Sequence, residues 1–186
     1  MDSVSYALGV VLSQNLKKQG FKEVNADELA KGFSEGIAGT AGIDVADANN
    51  KIQTYLTGAL AKEGEDFLAE NAKRPEVKVT DSGLQYEVLQ EGEGASPTAT
   101  ETVEVHYHGT LIDGTVFDSS VDRGQTIEFP LNQVIPGWTE GVQLMKEGAK
   151  YRFFIPYQLA YGARGSGGKI PPYSALIFDV ELFKVK

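Results

Sequence analysis

The chain contains no cysteine. That excludes disulfide scaffolds, thiolate metal sites and thiol nucleophiles. It has two histidines and one tryptophan, so imidazole chemistry rests on very few residues. Basic residues are in deficit, 17 Lys and Arg against 26 Asp and Glu. The resulting charge of −9 argues against nucleic-acid binding, because phosphate contacts call for Lys and Arg. No uninterrupted apolar run approaches the ~20 residues of a membrane-spanning helix, so no membrane insertion is expected. The opening Met1-Asp2-Ser3-Val4 has no basic segment followed by an apolar one. A cytoplasmic protein is therefore expected, with the periplasm as the alternative if a signal segment has been removed.

Proline is missing from residues 1–74, and all seven prolines lie at or after Pro75. Thirteen of the eighteen aromatic residues also follow Pro75. A length of 186 residues suits one large domain or two small ones. The proline asymmetry divides the chain into a helical part, 1–74, and a part of strands and turns, 75–186.

Hydrophobic spacing predicts three helices in the first part. Val4, Leu8, Val11, Leu12 and Leu16 share one face, with Ser3 as cap and Gly20 as stop. Asn25 with Glu28 three residues later opens a second helix, whose face carries Leu29, Phe33 and Ile37 and which Gly39 ends. The third starts near Asp44 and runs unbroken to about Ala72, a length of ~40 Å at ~1.5 Å per residue. A domain of roughly 70 residues cannot cover such a helix and has few large residues for a core of its own. Homodimerisation through residues 1–70 is the expected remedy.

The second part reads as antiparallel β-structure. Val103, Val105 and Tyr107 alternate with Glu104, His106 and His108, and the first set is expected to face inward. Asp113-Gly114 between two apolar runs marks a hairpin. Tyr151–Ile155 and Ala175–Val185 read as central strands. Pro136 to Met145 reads as one short helix stopped by Gly148. One short helix against several strands makes an α+β half-barrel the expected architecture.

Catalytic constellations are few. His106 and His108 share a strand face, so an H-x-H metal pair is geometrically allowed, but two surface histidines are the plainer reading. A Ser–His–Asp triad needs one of them beside Ser119 or Ser120, and no G-x-S-x-G elbow is present. Asp118 and Asp122 offer a general acid/base pair, although a turn carboxylate that orders its own loop is the more common reading. Gly162 to Lys169 lacks the spacing of a phosphate loop, and Pro171-Pro172 forbids a following helix. No cofactor or metal is implied. Aromatics do cluster beside turn glycines, at Tyr107-x-Gly109, Phe117-Asp118, Gly137-Trp138 and Tyr161-Gly162. Such placement suits either plain core or the wall of an apolar pocket.

Five stretches then stand together: Val105-His106-Tyr107-His108-Gly109, Gly114 to Ser120, Val134-Ile135-Pro136-Gly137-Trp138, Ala160-Tyr161-Gly162 and Ile170-Pro171-Pro172. With Phe178-Asp179-Val180-Glu181-Leu182 they resemble, in order and spacing, the FKBP-type peptidyl-prolyl cis-trans isomerases over residues 83–186. Ser5-Tyr6-Ala7-Leu8-Gly9 and the long helix resemble the N-terminal dimerisation domain of bacterial members of the FklB and macrophage infectivity potentiator type. The resemblance implies a half-barrel wrapped on one short helix, preceded by an all-α dimerisation domain.

It also implies a site. Tyr107, Phe117, Val134, Ile135, Trp138, Tyr161 and Phe178 match its walls, with Trp138 as the floor under a prolyl ring. Asp118 matches the polar edge, Arg123 its partner, and Ile170 the loop residue over the site. Ala160 and Ile127 complete the substrate-binding set. Ile127 stands where many members have phenylalanine, and Leu159, Ser166 and Lys169 also depart from common residues. The resemblance further implies that the Ile135 N–H and the Tyr161 hydroxyl hold substrate carbonyls. The implied ligands are proline-containing peptides, unfolded clients and macrolide inhibitors. Two competing functions are a catalytically weak binding module of the same fold and a metal-binding protein using His106 and His108.

Overall fold

The computed structural model describes residues 3–19, 21 and 23–186. The proline-free part is helical, as its spacing predicts. Helix α1 spans Ser3–Lys18, α2 Ala26–Ala38 and α3 Val45–Asn71. Ser3, where the described residues begin, already lies within α1 rather than capping it, and the expected stop at Gly20 lies outside the described residues. The Asn25 side chain accepts from the N–H groups of Asp27 and Glu28, satisfying two donors that α2 cannot pair internally. Gly39 closes that helix at φ 70°, where a Cβ would be strained. Asp44 Oδ1 accepts from Asp47 N–H at 2.8 Å and starts α3, which runs 27 residues without interruption.

Chain contacts divide the molecule into two compact units, Met1–Ala59 and Leu60–Lys186. The division falls inside α3, ahead of the change in composition at Pro75. In the first unit no described residue of α1 or α2 is buried. Val4, Phe33 and Ile37 are 66%, 62% and 79% exposed, so the apolar faces found by spacing lie on the surface of a single chain.

The second unit is built on seven strands: β1 Val77–Val79, β2 Gln85–Gln90, β3 Thr102–Leu111, β4 Val116–Ser119, β5 Ile127–Pro130, β6 Lys150–Ile155 and β7 Leu176–Val185. They form one antiparallel sheet in the order β1-β2-β6-β7-β3-β4, with β5 also paired to β3. Strands β1 and β5 were not anticipated from the sequence. β3 and β7 pair along their whole length, with Tyr107 opposite Val180 and Gly109 opposite Phe178. The period-2 pattern decides what faces in. Val103, Val105 and Tyr107 are buried in alternation along β3, and Leu176, Phe178, Val180 and Leu182 along β7.

Helix α4, Pro136–Gln143, contributes Trp138 and Val142 to this inner face. Glycines set its depth: a Cβ on Gly137 would lie 2.5 Å from Ile155 Cγ2, and one on Gly141 2.7 Å from the Phe153 ring. The helix ends two residues earlier than expected. Leu144 caps it, and Gly148, at φ 86°, belongs to the turn into β6. The Asp113-Gly114 turn closes as the sequence indicates, with Gly114 at φ 85° and the Asp113 carboxylate accepting from Thr115 N–H at 2.8 Å.

The outer face of the sheet is covered within the same unit by the end of α3. Leu68 and Phe67 pack on Phe154, Ile177 and Ala175. Asn71 Nδ2 donates to Gln85 Oε1 at 2.9 Å, and Gln85 Nε2 donates to the Leu68 carbonyl at 2.9 Å. Both buried amides are thereby satisfied, as burial of polar groups demands.

Candidate active site

The inner face of the sheet does not fill completely. A cavity of about 700 Å³ remains open beside α4. Inward-facing Tyr107 and Phe178 come from β3 and β7, Phe117 and Asp118 from β4, Ile127 and Phe129 from β5, and Trp138 from the first turn of α4. Tyr161 and Ile170 come from the segment between β6 and β7. Strand alternation explains Tyr107 and Phe178. Pro136 at the first position of α4 fixes where Trp138 points from the helix start.

The Trp138 indole is 5% exposed and sits among three rings. Tyr107 and Phe178 meet it edge-on, with centroids at 5.4 and 5.2 Å and interplanar angles of 85° and 86°. Phe129 lies at 5.3 Å and 59°. Phe117 meets Phe178 at 5.3 Å and 81°. These are the edge-to-face geometries that aromatic quadrupoles favour. Gly109 makes the assembly possible, because a Cβ there would lie 2.7 Å from Phe117 and 2.8 Å from Phe178. Among the described residues the Trp138 indole N–H has no acceptor.

One edge of the cavity is polar. Asp118 accepts from the Tyr107 hydroxyl and from Arg123 Nη1, while Arg123 Nη2 donates to the Tyr107 oxygen at 3.0 Å. The guanidinium also lies over the Tyr107 ring, at 5.7 Å from its centroid. Burial on its own would raise the Asp118 carboxyl, but the bonds from Tyr107 and Arg123 and the guanidinium charge outweigh it, and the group titrates below the usual range. Burial and the Asp118 carboxylate push Tyr107 up, against the opposing pull of Arg123. Tyr161 is raised as well, by burial and then by the charge on Asp118. At neutral pH the edge is therefore a carboxylate, a guanidinium and two intact phenols.

Ten of the twelve site residues named from the sequence line the cavity: Tyr107, Phe117, Asp118, Ile127, Val134, Ile135, Trp138, Tyr161, Ile170 and Phe178. Arg123 stands behind Asp118 instead, and Ala160 packs against the core beside the wall. Phe129 and Gln133 line the cavity and were not named. Phe129 shares the strand face of Ile127 two residues on, so the period-2 rule carried the signal. Ser166, Gly167 and Lys169 also reach the cavity. They belong to a loop tied by reciprocal N–H···O bonds between Ser166 and Ile170, at 2.9 and 3.0 Å.

The histidines do lie beside the serines. His106 Nδ1 is 2.9 Å from Ser120 Oγ, and His108 Nδ1 is 2.9 Å from Ser119 Oγ. Asp122 Oδ2 approaches the same His108 nitrogen, at 4.0 Å. A triad needs the carboxylate on one ring nitrogen and the nucleophile on the other, so this arrangement activates no serine. Among the described residues no group of three or more His, Asp or Glu side chains is placed to hold a metal ion.

The sequence profile of the FKBP-type peptidyl-prolyl cis-trans isomerases matches residues 93–183. The profile of the domain amino-terminal to such isomerases matches residues 1–88. An FKBP-type isomerase FkpA of Aeromonas hydrophila is 46% identical over 99% of this chain and 74% of its own length. The chain belongs to the FKBP-type peptidyl-prolyl cis-trans isomerases. It is thus an isomerase of the bacterial two-domain kind, acting on X–Pro bonds. A protein of Legionella longbeachae named outer membrane protein MIP is 42% identical over all of this chain and 85% of its own. The crystal structure of FkpA from Escherichia coli superposes with a TM-score of 0.66 at 36% identity, covering 99% of this chain and 93% of that one. The α+β architecture, all-α amino-terminal part and antiparallel sheet on one short helix, is that of the family.

Proposed function

We propose that the cavity over Trp138 is where the X–Pro bond turns. The observation that carries this reading is the pairing of a ring-lined apolar floor with a single ionised edge, Asp118 held by Tyr107 and Arg123. An X–Pro amide rotates over a barrier of ~18–20 kcal/mol, because its C–N bond has partial double-bond character. The planar amide is the more dipolar form and water favours it. A prolyl ring seated on Trp138 carries its amide out of water and so favours the twisted form, which is differential binding of the transition state. No proton moves and no bond breaks.

The residues assist by position. Among the described residues the Ile135 N–H has no backbone acceptor, and it lies at the start of α4 on the cavity wall. It and the Tyr161 hydroxyl are the donors for substrate carbonyls. Asp118 acts by charge at the rotating carbonyl. Each ~1.4 kcal/mol of such differential stabilisation gives tenfold in rate. The sole tryptophan reports occupancy: a Leu-Pro peptide or a macrolide of the FKBP-binding class should change its fluorescence saturably. No change at saturating macrolide would contradict the site.

Homodimerisation through residues 1–70 is the proposed contact between two copies of the chain. Support comes from Val4, Leu8, Phe33 and Ile37, all large, apolar and mostly exposed in one chain. Two linked pockets gain avidity for long unfolded clients that offer several prolines. Sedimentation equilibrium tests the dimer, and replacing Phe33 and Ile37 together by Glu should give monomers. A wild-type monomer at micromolar concentration would contradict it. The relative named as an outer membrane protein gives the cytoplasmic expectation no support and favours the exported alternative.

A further inference from the structure

Charge around the cavity cancels except at one residue. Asp118 and Arg123 neutralise each other. Lys169 lines the same cavity, is exposed at its mouth, and among the described residues has no carboxylate within 4.0 Å. Its backbone is held in place. Ser166 and Ile170 exchange both N–H···O bonds, Lys169 N–H donates to the Ser166 carbonyl at 3.2 Å, and Gly167 and Gly168 make the turn at φ 55° and 69°. Ile170, the next residue, is buried against the cavity. The ammonium itself sits 3.4 Å from the Phe117 carbonyl oxygen, one residue from Asp118. A cationic mouth is notable in a chain of net charge −9, whose long-range field repels acidic peptides.

We propose that Lys169 selects substrates with an acidic residue immediately before the proline. The inference rests on the prolyl-site reading above. With the prolyl ring on Trp138, the carbonyl that rotates belongs to the preceding residue and turns at the Asp118 edge. Lys169 is moored to that same edge through Phe117, so the preceding side chain meets its ammonium. An acidic side chain there gains an ion pair; a basic one meets a like charge. The pair is exposed, so the preference is modest, about two- to fivefold in kcat/KM, and it fades with added salt.

The experiment compares cis/trans exchange of Ala-Glu-Pro-Phe, Ala-Gln-Pro-Phe and Ala-Leu-Pro-Phe by NMR at ~0.02 M and ~0.5 M salt. The full-length wild type is set against Lys169→Met, Lys169→Glu and Lys73→Glu. Lys73 pairs with Glu70 on the surface at the end of α3, so its reversal changes net charge identically away from the cavity. The Glu/Gln ratio of kcat/KM should fall by about threefold in Lys169→Met and further in Lys169→Glu, and only at low salt. Lys73→Glu should keep the wild-type ratio. An unchanged ratio in both Lys169 variants, with Leu-Pro still accelerated by the wild type, overturns the role of Lys169 alone. An equal fall in Lys73→Glu overturns it too, since net charge would then suffice. Failure of the wild type to accelerate even the Leu-Pro peptide overturns the prolyl-site reading, and this inference with it.

Discussion

Trp138 offers an unusually clean separation of packing from hydrogen bonding. Its ring is 5% exposed and touches Tyr107, Phe129 and Phe178, while its N–H has no acceptor among the described residues. Replacing it by alanine removes the packing of the whole ring together with the unpartnered N–H. Losses for buried Phe or Trp to Ala run at about 3–5 kcal/mol. The ring borders an open cavity of about 700 Å³, so the void left behind joins solvent, which places the expected loss near the lower end of that range. Trp138→Phe should behave differently. It gives up part of the ring but also removes a buried donor whose lack of a partner costs about 1–3 kcal/mol. The two effects oppose, and Trp138→Phe should stay within about 1 kcal/mol of wild type. Urea unfolding followed by circular dichroism measures both, since the variants have no tryptophan fluorescence. Activity should separate them as well. Loss of about 50 Å² of apolar contact with the prolyl ring, at ~25 cal/mol per Å², comes to about 1.3 kcal/mol, or roughly tenfold in kcat/KM for Trp138→Ala. A loss of about 2 kcal/mol or more in Trp138→Phe would refute the reasoning, because removal of an unpartnered donor should offset the lost part of the ring.

Gly109→Ala should cost about 1–3 kcal/mol and depress activity on short peptides, because its Cβ would lie 2.7 Å from Phe117 and 2.8 Å from Phe178, both cavity walls; thermal unfolding and peptide exchange check it, and a silent variant contradicts the packing described. The pH profile for an uncharged peptide should be flat from about pH 5 to 9. Asp118 titrates lower when folded, so its contribution is present above its unfolded value and is lost only as pH falls through the folded one. Tyr107 titrates higher when folded, so its contribution is present below its unfolded value and is lost only as pH rises through the folded one. An inflection between pH 6 and 7, in the histidine range, would contradict this assignment of roles. A fragment of residues 75–186 should unfold at lower urea than one of residues 60–186, by about 3 kcal/mol, since it lacks buried Leu68 and leaves the Gln85 amide without Asn71 and the Leu68 carbonyl. Equal midpoints would refute that account of the end of α3.

What the sequence made legible was local. Asn25 before an acidic first turn, Gly39 after Ala38 and Asp113-Gly114 between apolar runs are each read by the backbone within a few residues, and each sits as expected. The alternation along Val103–Tyr107 identified the inner face for the same reason. Long-range facts were less accessible. The short strands Val77–Val79 and Ile127–Pro130 exist because β2 and β3 offer them edges, and nothing within three or four residues announces that. The end of α3 belongs to the sheet's unit because Phe154, Ile177 and Ala175 lie against it, which composition around Pro75 does not reveal. For the site, motif spacing brought most of the walls together, but Phe129 and Gln133 stand outside those motifs. The position of Lys169 at the mouth follows from the Ser166–Ile170 pairing, a contact that the glycine-rich run alone does not specify.

The most direct test of the central claim is cis/trans exchange of a short Leu-Pro peptide, followed by NMR with the wild-type protein, with Trp138→Phe and Asp118→Ala, and with a macrolide of the rapamycin class as competitor. The account predicts acceleration by the wild type that the macrolide abolishes, and weaker acceleration by Asp118→Ala. Full activity in Asp118→Ala, or acceleration that persists at saturating macrolide, would place the chemistry outside the cavity over Trp138.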